Sequence, residues 1–397
     1  MAYEKINGAL ALATNSPGTP TGYGVQAEYL VNRLVRHGVK TAVLSNYGLE
    51  ARTETISTPY GKAAHYPRGY SPYSEDVIPL WFEDFMREKP GIPGAVLTLF
   101  DVWVYNKLEF DGKIISWVPL DHVTMPPGVG QFLKRPNVTP IAMSPHGQRQ
   151  MKKDLDIESV YIPHSVDTSV FKPTKKIRGV EARKFMGVPE DAFLVSMVAA
   201  NKANGIVHRK ALAEQLLAFS AFRKKHSDAY LYLHMTARKT FGGFELGPLL
   251  SAVGLGPDSV ILPDEEQLRL GYPQKELAAF YSASDVLLSA SYGEGFGVPL
   301  IEAQACGTKI ITGNWTSMPD LVGETSYCIE GQPFWDEPQK AFFNIPSVEG
   351  LVQALQLAYE QPRGRDDVSI EFAADFGLEK VWSNYWLPFL KEYFNAA

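Results

Sequence analysis

The sequence predicts an α/β protein built from parallel sheets in two domains. Three observations carry that expectation. Short apolar runs alternate with helical patterns along the whole chain, as strand–helix–strand units require. The 397 residues exceed what one ordinary core organises. A break at Pro163-His-Ser-Val-Asp-Thr-Ser-Val-Phe-Lys-Pro173, continuing as a charged stretch to Arg178, separates two sets of such units.

The elements follow in order. Residues 6–13 read as a first strand and 14–24 as a turn-rich loop holding Gly22-Tyr-Gly24. Residues 25–37 are helical, and Gly38 ends the helix. Strands are expected at 41–45, 95–100, 114–119, 139–144 and 160–162, with a helix at 75–88. After the break, strands are expected at 193–200, 230–235, 259–262, 285–289 and 309–312. Helices are expected at 211–225 and 274–282. The segment 379–394 is aromatic-rich and helical apart from Pro388, a pattern read as packing rather than membrane contact.

Composition excludes several classes. Hydrophobic residues make up 45% and charged residues 21%, as in a folded soluble protein. The net charge is −6: 16 basic against 16 acidic residues up to His164, and 22 against 28 beyond it. Neither half has the basic excess of a nucleic-acid binder. Cys306 and Cys328 lack metal-ligand spacing, and two thiols in a chain this long suggest a reducing compartment, so a cytoplasmic location is expected. No run of about 18 apolar residues exists, so no spanning helix is expected. The opening apolar run reads as a buried strand rather than a signal peptide, because its basic flank is thin.

The most informative segment is Glu294-Gly-Phe-Gly-Val-Pro-Leu-Ile-Glu302. An apolar strand precedes it, and a helix runs on to Gly307. A strand, a glycine turn and a helix start suit a phosphate-bearing ligand: glycine admits close backbone approach, and the helix N-terminus offers free N–H groups and a positive dipole end. The flanking carboxylates can accept from sugar hydroxyls. Together with Tyr281-Ser-Ala-Ser-Asp285, the stretch from Tyr292 to Gly307 resembles the E-x7-E block of retaining GT-B-fold glycosyltransferases, family 4 in particular. The break at 163–173 also resembles that family's interdomain signature.

The resemblance implies a GT-B fold of two Rossmann-like, doubly wound domains facing a cleft. The expected division is 1–165, a linker 166–178, 179–376, and a helix 377–397 crossing back to the first domain. It implies that Glu294 faces the donor sugar and Glu302 the nucleotide ribose, with backbone groups of Gly295, Phe296, Gly297 and Val298 lining sugar and phosphate. In the family an Arg and a Lys hold the donor phosphates. Lys210 matches that lysine by its place before a helix, while the arginine is open between Arg209 and the position taken by Lys202. Gly22 and Gly24 would lie near donor phosphate and acceptor. The family often has a His or Asp touching the transferred sugar; His122 and Asp121, after Trp117-Val-Pro-Leu, are the candidates, and the sequence does not choose between them. Asp101, His146 and His164 are weaker.

Two departures stand out. Thr308-Lys309 follows Cys306-Gly307 where many relatives have proline. A glycine-rich stretch is replaced by Asn314-Trp-Thr-Ser-Met-Pro-Asp320. The stretch 331–344, rich in Trp, Phe and Pro, reads as an insertion of unassigned role. The expected activity is transfer of a sugar from a UDP- or GDP-type donor to an acceptor hydroxyl with retention. No cofactor or metal is expected, since the sequence holds no His/Cys cluster with ligand spacing. The acceptor stays open among glycan, lipid, protein and modified nucleobase. An epimerase or phosphorylase on the same fold, or a non-catalytic binder, are the alternatives.

Overall fold

The computed structural model describes residues 3–203, 207–239 and 242–396. Within the loop 201–210, residues 204–206 therefore lie outside the described residues. The chain divides into two compact units. One comprises Met1–Ser165, Glu337–Ala341 and Leu378–Ala397; the other comprises Val166–Asp336 and Phe342–Gly377.

The first unit holds eight strands: β1 Ala9–Thr14, β2 Lys40–Ser45, β3 Glu54–Thr58, β4 Gly61–Tyr66, β5 Gly94–Leu99, β6 Ile114–Val118, β7 Val138–Ala142 and β8 Val160–Tyr161. Their order is β3-β4-β2-β1-β5-β6-β7-β8, parallel except for β3 against β4. β1 is buried along its whole length, since its Ala-Leu alternation lets neighbours pack on both faces. Strand order reverses between β1 and β5, which makes their C-terminal ends the switch point where doubly wound sheets bind ligands. The helix Gly22–Arg36 follows β1 and buries Ala27, Leu30, Val31 and Leu34 at helical spacing.

The second unit holds a hairpin of β9 Lys176–Ile177 and β10 Val180–Glu181, then β11 Phe193–Val198, β12 Ala229–His234, β13 Val260–Ile261, β14 Val286–Ser289, β15 Lys309–Gly313 and β16 Tyr327–Ile329. The last six form a parallel sheet in the order β13-β12-β11-β14-β15-β16. Here the reversal falls between β11 and β14. Residues 166–178, expected as a linker, fold as part of this unit: Val166 bridges Gly377, and Phe171 and Ile177 are buried. The stretch 331–344 forms most of a two-stranded sheet, β17 Gly331–Asp336 with β18 Ala341–Pro346, and Trp335 meets Phe342 edge-on at 4.9 Å.

The C-terminal segment groups with the first unit. Trp382 Nε1 donates to His37 Nε2 at 3.0 Å, and Glu379 pairs with Arg33 at 2.8 Å and Arg36 at 2.7 Å. Pro388 does not interrupt the helix. A π turn over Trp382–Trp386, closed by Leu387 N–H on Trp382 O, precedes Leu387–Asn395, so the proline falls in a first turn where its missing N–H is no loss.

Candidate functional site

In the second unit, two loops meet at the switch point. The loop after β11 delivers Arg209 and Lys210, and the loop after β14 delivers Glu294. Lys210 Nζ lies 2.5 Å from Glu294 Oε1, and Arg209 Nη1 lies 3.1 Å from Oε2. Arg209 also donates to Gly293 O at 2.6 Å, and Ser291 Oγ donates to Glu294 Oε1 at 2.6 Å. The two loops are tied through their backbones by Tyr292 N–H on Arg209 O at 2.8 Å. Gln215 adds a second tie, donating to Lys210 O and accepting from Ala290 N–H.

The electrostatics follow from burial and charge. Burial pushes the Glu294 carboxyl up, but Lys210 and Arg209, with hydrogen bonds from Lys210 and Ser291, outweigh it and hold the group at about 2. Burial lowers the Lys210 ammonium and Arg209 adds to that, against the pull of Glu294. With two cations around one carboxylate, the cluster has a net positive charge.

Gly297 sits at φ 113°, a left-handed conformation that a side chain would strain, and begins the helix Val298–Ala305. Glu302 lies on that helix, and the Tyr281 hydroxyl donates to its Oε2 at 3.0 Å. Burial pushes the Glu302 carboxyl up to about 7, against the hydrogen bond from Tyr281. Phe296 is buried, with its ring 5.9 Å from that of Phe376. Gly295 lies between Glu294 and Phe296 on this turn.

Not all expected groups join the cluster. Lys202 is exposed and makes a backbone bridge to Gly242. Its neighbour Asn201 is buried and spends its side chain on Thr236 O, Phe244 O and Phe244 N–H. Three hydroxyls that sequence reasoning did not assign hold the glycine turn: Ser291, and the pair Thr316 and Ser317. Thr316 Oγ1 accepts from Glu294 N–H at 3.0 Å, while Ser317 Oγ donates to Glu294 O and Phe296 O, both at 2.7 Å. The only sequence signal for that pair was the replacement of a glycine-rich stretch.

In the first unit, Asp121 and His122 follow β6. His122 is buried, and its Nδ1 lies 2.7 Å from Asp121 Oδ1, so the carboxylate orients the ring. His146 Nε2 lies 3.1 Å from His122 O. Gly22 and Gly24 follow β1 but differ in role. A Cβ at Gly24 would stand 2.1 Å from Thr19 Oγ1 and 2.8 Å from Thr19 O, so this glycine is required by packing; a Cβ at Gly22 would meet nothing within 4 Å. Thr21 caps the helix by accepting from Gly24 N–H at 3.0 Å, and Asn15 donates to the same hydroxyl. His164 stacks edge-on against Trp117 at 4.5 Å, and burial pushes it down to about 3.

The two doubly wound units are those of a GT-B glycosyltransferase fold. Residues 261–370, which include Glu294 and Glu302, match the family model for glycosyl transferases group 1. The chain is similar in structure to sucrose-phosphate synthase from Thermosynechococcus elongatus, with a TM-score of 0.74 and 17% identity over 98% of this chain and 100% of that one. It is also similar to HepE from Anabaena in complex with UDP and glucose, with a TM-score of 0.62 and 12% identity over 98% of both chains. In sequence it is 35% identical over 133 residues to a D-inositol 3-phosphate glycosyltransferase of Rhodococcus jostii, covering 33% of this chain and 27% of the relative. It is 31% identical over 100 residues to O-antigen chain mannosyltransferase B of Escherichia coli, covering 23% and 26%. The aligned segments span only 27% and 26% of the lengths of these two curated relatives. Among the described residues, no helix is long and apolar enough to cross a membrane.

Proposed function

We propose that this protein is a retaining glycosyltransferase that moves a sugar from a nucleoside diphosphate donor to an acceptor hydroxyl. The observation that carries the reading is the meeting of Arg209, Lys210 and Glu294 at the switch point of the second unit, beside the Gly297 turn. A departing diphosphate gains negative charge as the glycosidic bond breaks. Two cations fixed in a water-poor site stabilise that charge without reorganising. The amides of the helix starting at Val298 add to the same field. We assign the phosphates to Lys210 and Arg209, with Lys202 as an outer, exposed cation. Glu302 takes the ribose hydroxyls, and the backbone of Gly295, Phe296 and Gly297 faces the sugar.

Glu294 positions the sugar and balances the cations; no covalent attack is assigned to it. His122, held by Asp121, is assigned to charge stabilisation at the sugar, and Gly22 to the space the substrates need. This reading is metal-independent, because side chains and a helix N-terminus do the phosphate work. The donor is of UDP or GDP type. UDP appears in the structure of the similar HepE, while the similar mannosyltransferase and inositol phosphate glycosyltransferase point to other sugars and acceptors. A cytoplasmic location and family 4 membership belong to the same proposal. The test is incubation with nucleotide sugars in EDTA. Acceptor-dependent release of nucleoside diphosphate, with the donor's anomeric configuration kept in the product, supports the reading. Release without an acceptor product, or inversion, contradicts it.

A further inference from the structure

Thr316 occupies a backbone conformation that its side chain disfavours. Its φ is 53°, in the left-handed region, where a β-branched residue is a rare occupant. It is also buried, so solvent does not compensate it. What the position gains is one hydroxyl in one place. Thr316 Oγ1 donates to Trp315 O at 2.8 Å and accepts from Glu294 N–H at 3.0 Å. The adjacent Ser317 is fully buried, and its Oγ contacts the carbonyls of Glu294 and Phe296. Together these two hydroxyls hold the N–H and C=O of Glu294 and the C=O of Phe296. Glycine at 316 would relieve the backbone but would leave the Glu294 amide without that acceptor.

We propose that Thr316 is a positioning residue: it accepts strain in order to fix the turn that aims Glu294 at Arg209 and Lys210. Ser317 completes the clamp from the carbonyl side. The proposal rests on the glycosyltransferase reading for its effect on turnover, but not for its effect on the turn.

The test uses Thr316→Gly, Thr316→Val and Thr316→Ser in the full-length protein. Hydrogen exchange across residues 291–298 without any ligand reads the turn directly. Exchange at the Glu294 amide should quicken at least tenfold in Thr316→Gly and Thr316→Val, and stay within about threefold of the starting protein in Thr316→Ser. In transfer assays the kcat should drop about tenfold in Thr316→Gly while KM for donor changes less than threefold, and Thr316→Ser should recover most of the kcat. Unchanged exchange at Glu294 in Thr316→Gly overturns the proposal, as does Thr316→Ser matching Thr316→Gly. If the unaltered protein transfers no sugar, the functional reading fails, and the exchange experiment still decides the clamp.

Discussion

Replacing Lys210 with methionine leaves the Glu294 carboxylate with Arg209 as its remaining cation partner. Both side chains are poorly exposed, 22% for Lys210 and 12% for Glu294, so little solvent screens the pair. The carboxyl is held at about 2 against an ordinary value of 4.5. A shift of that size corresponds to about 3 kcal/mol of stability near neutral pH. Removing one partner of a buried pair costs about 3–5 kcal/mol in comparable cases, which agrees. Part of that stays, because Arg209 at 3.1 Å and Ser291 at 2.6 Å remain beside the carboxylate, so the predicted loss for Lys210→Met is about 2 kcal/mol at pH 7. Because the folded value is depressed, this contribution is present above pH 4.5 and is lost as pH falls toward 2. The deficit of the variant should shrink over that window. Lys210→Met with Glu294→Gln removes both members of the pair and should lose less than the two single losses combined. Urea unfolding followed by tryptophan fluorescence at pH 7 and pH 3 measures each term. A deficit for Lys210→Met that is equally large at pH 3, or a double variant that loses the sum of the two single losses, would refute the coupling.

Further outcomes follow from the geometry. Glu302 is raised to about 7, so its ionisation opposes folding: stability is highest below 4.5 and declines as pH rises toward 7. Glu302→Gln should flatten that decline and gain about 3 kcal/mol at pH 8, while nucleotide affinity falls. Nucleotide binding to the unaltered protein should release a proton below pH 7, read by calorimetry in two buffers of different ionisation enthalpy. Gly24→Ala should lose about 1–3 kcal/mol, because its Cβ meets Thr19 and Ser16. Gly22→Ala should leave the melting temperature unchanged and lower transfer; loss of stability in Gly22→Ala, or full activity, would remove Gly22 from the site.

Much of the fold was legible because buried parallel strands read as apolar runs. The runs before Gly22, before Asn201 and before Tyr292 all became strands near their expected bounds. The β3–β4 hairpin was not legible, since β3 is an edge strand of mostly exposed, polar residues. The helix Pro145–Leu155 was hidden by its polar sequence and is set by the Ser144 cap on Gly147 N–H. At the candidate site, Glu294 was legible as one of two carboxylates flanking a glycine turn and Lys210 only through the family resemblance; the structure brings their side chains together. Thr316 was not, because what matters there is a backbone angle that residue type argues against. The roles of Gly22 and Gly24 could not be separated by sequence, since only packing distinguishes an open glycine from a crowded one.

The central claim is that a nucleoside diphosphate binds where Arg209, Lys210 and the Gly297 turn meet. The most direct measurement is the melting temperature in EDTA with UDP, GDP and ADP, for the unaltered protein and for Lys210→Met, each against its own ligand-free value. Ligand at about 100 times its Kd stabilises the native state by about 2.7 kcal/mol. For a unit of this size that is a rise of roughly 5–10 °C. The account predicts such a rise with one base and its loss in Lys210→Met. No rise with any nucleotide, or an equal rise in Lys210→Met, would contradict it.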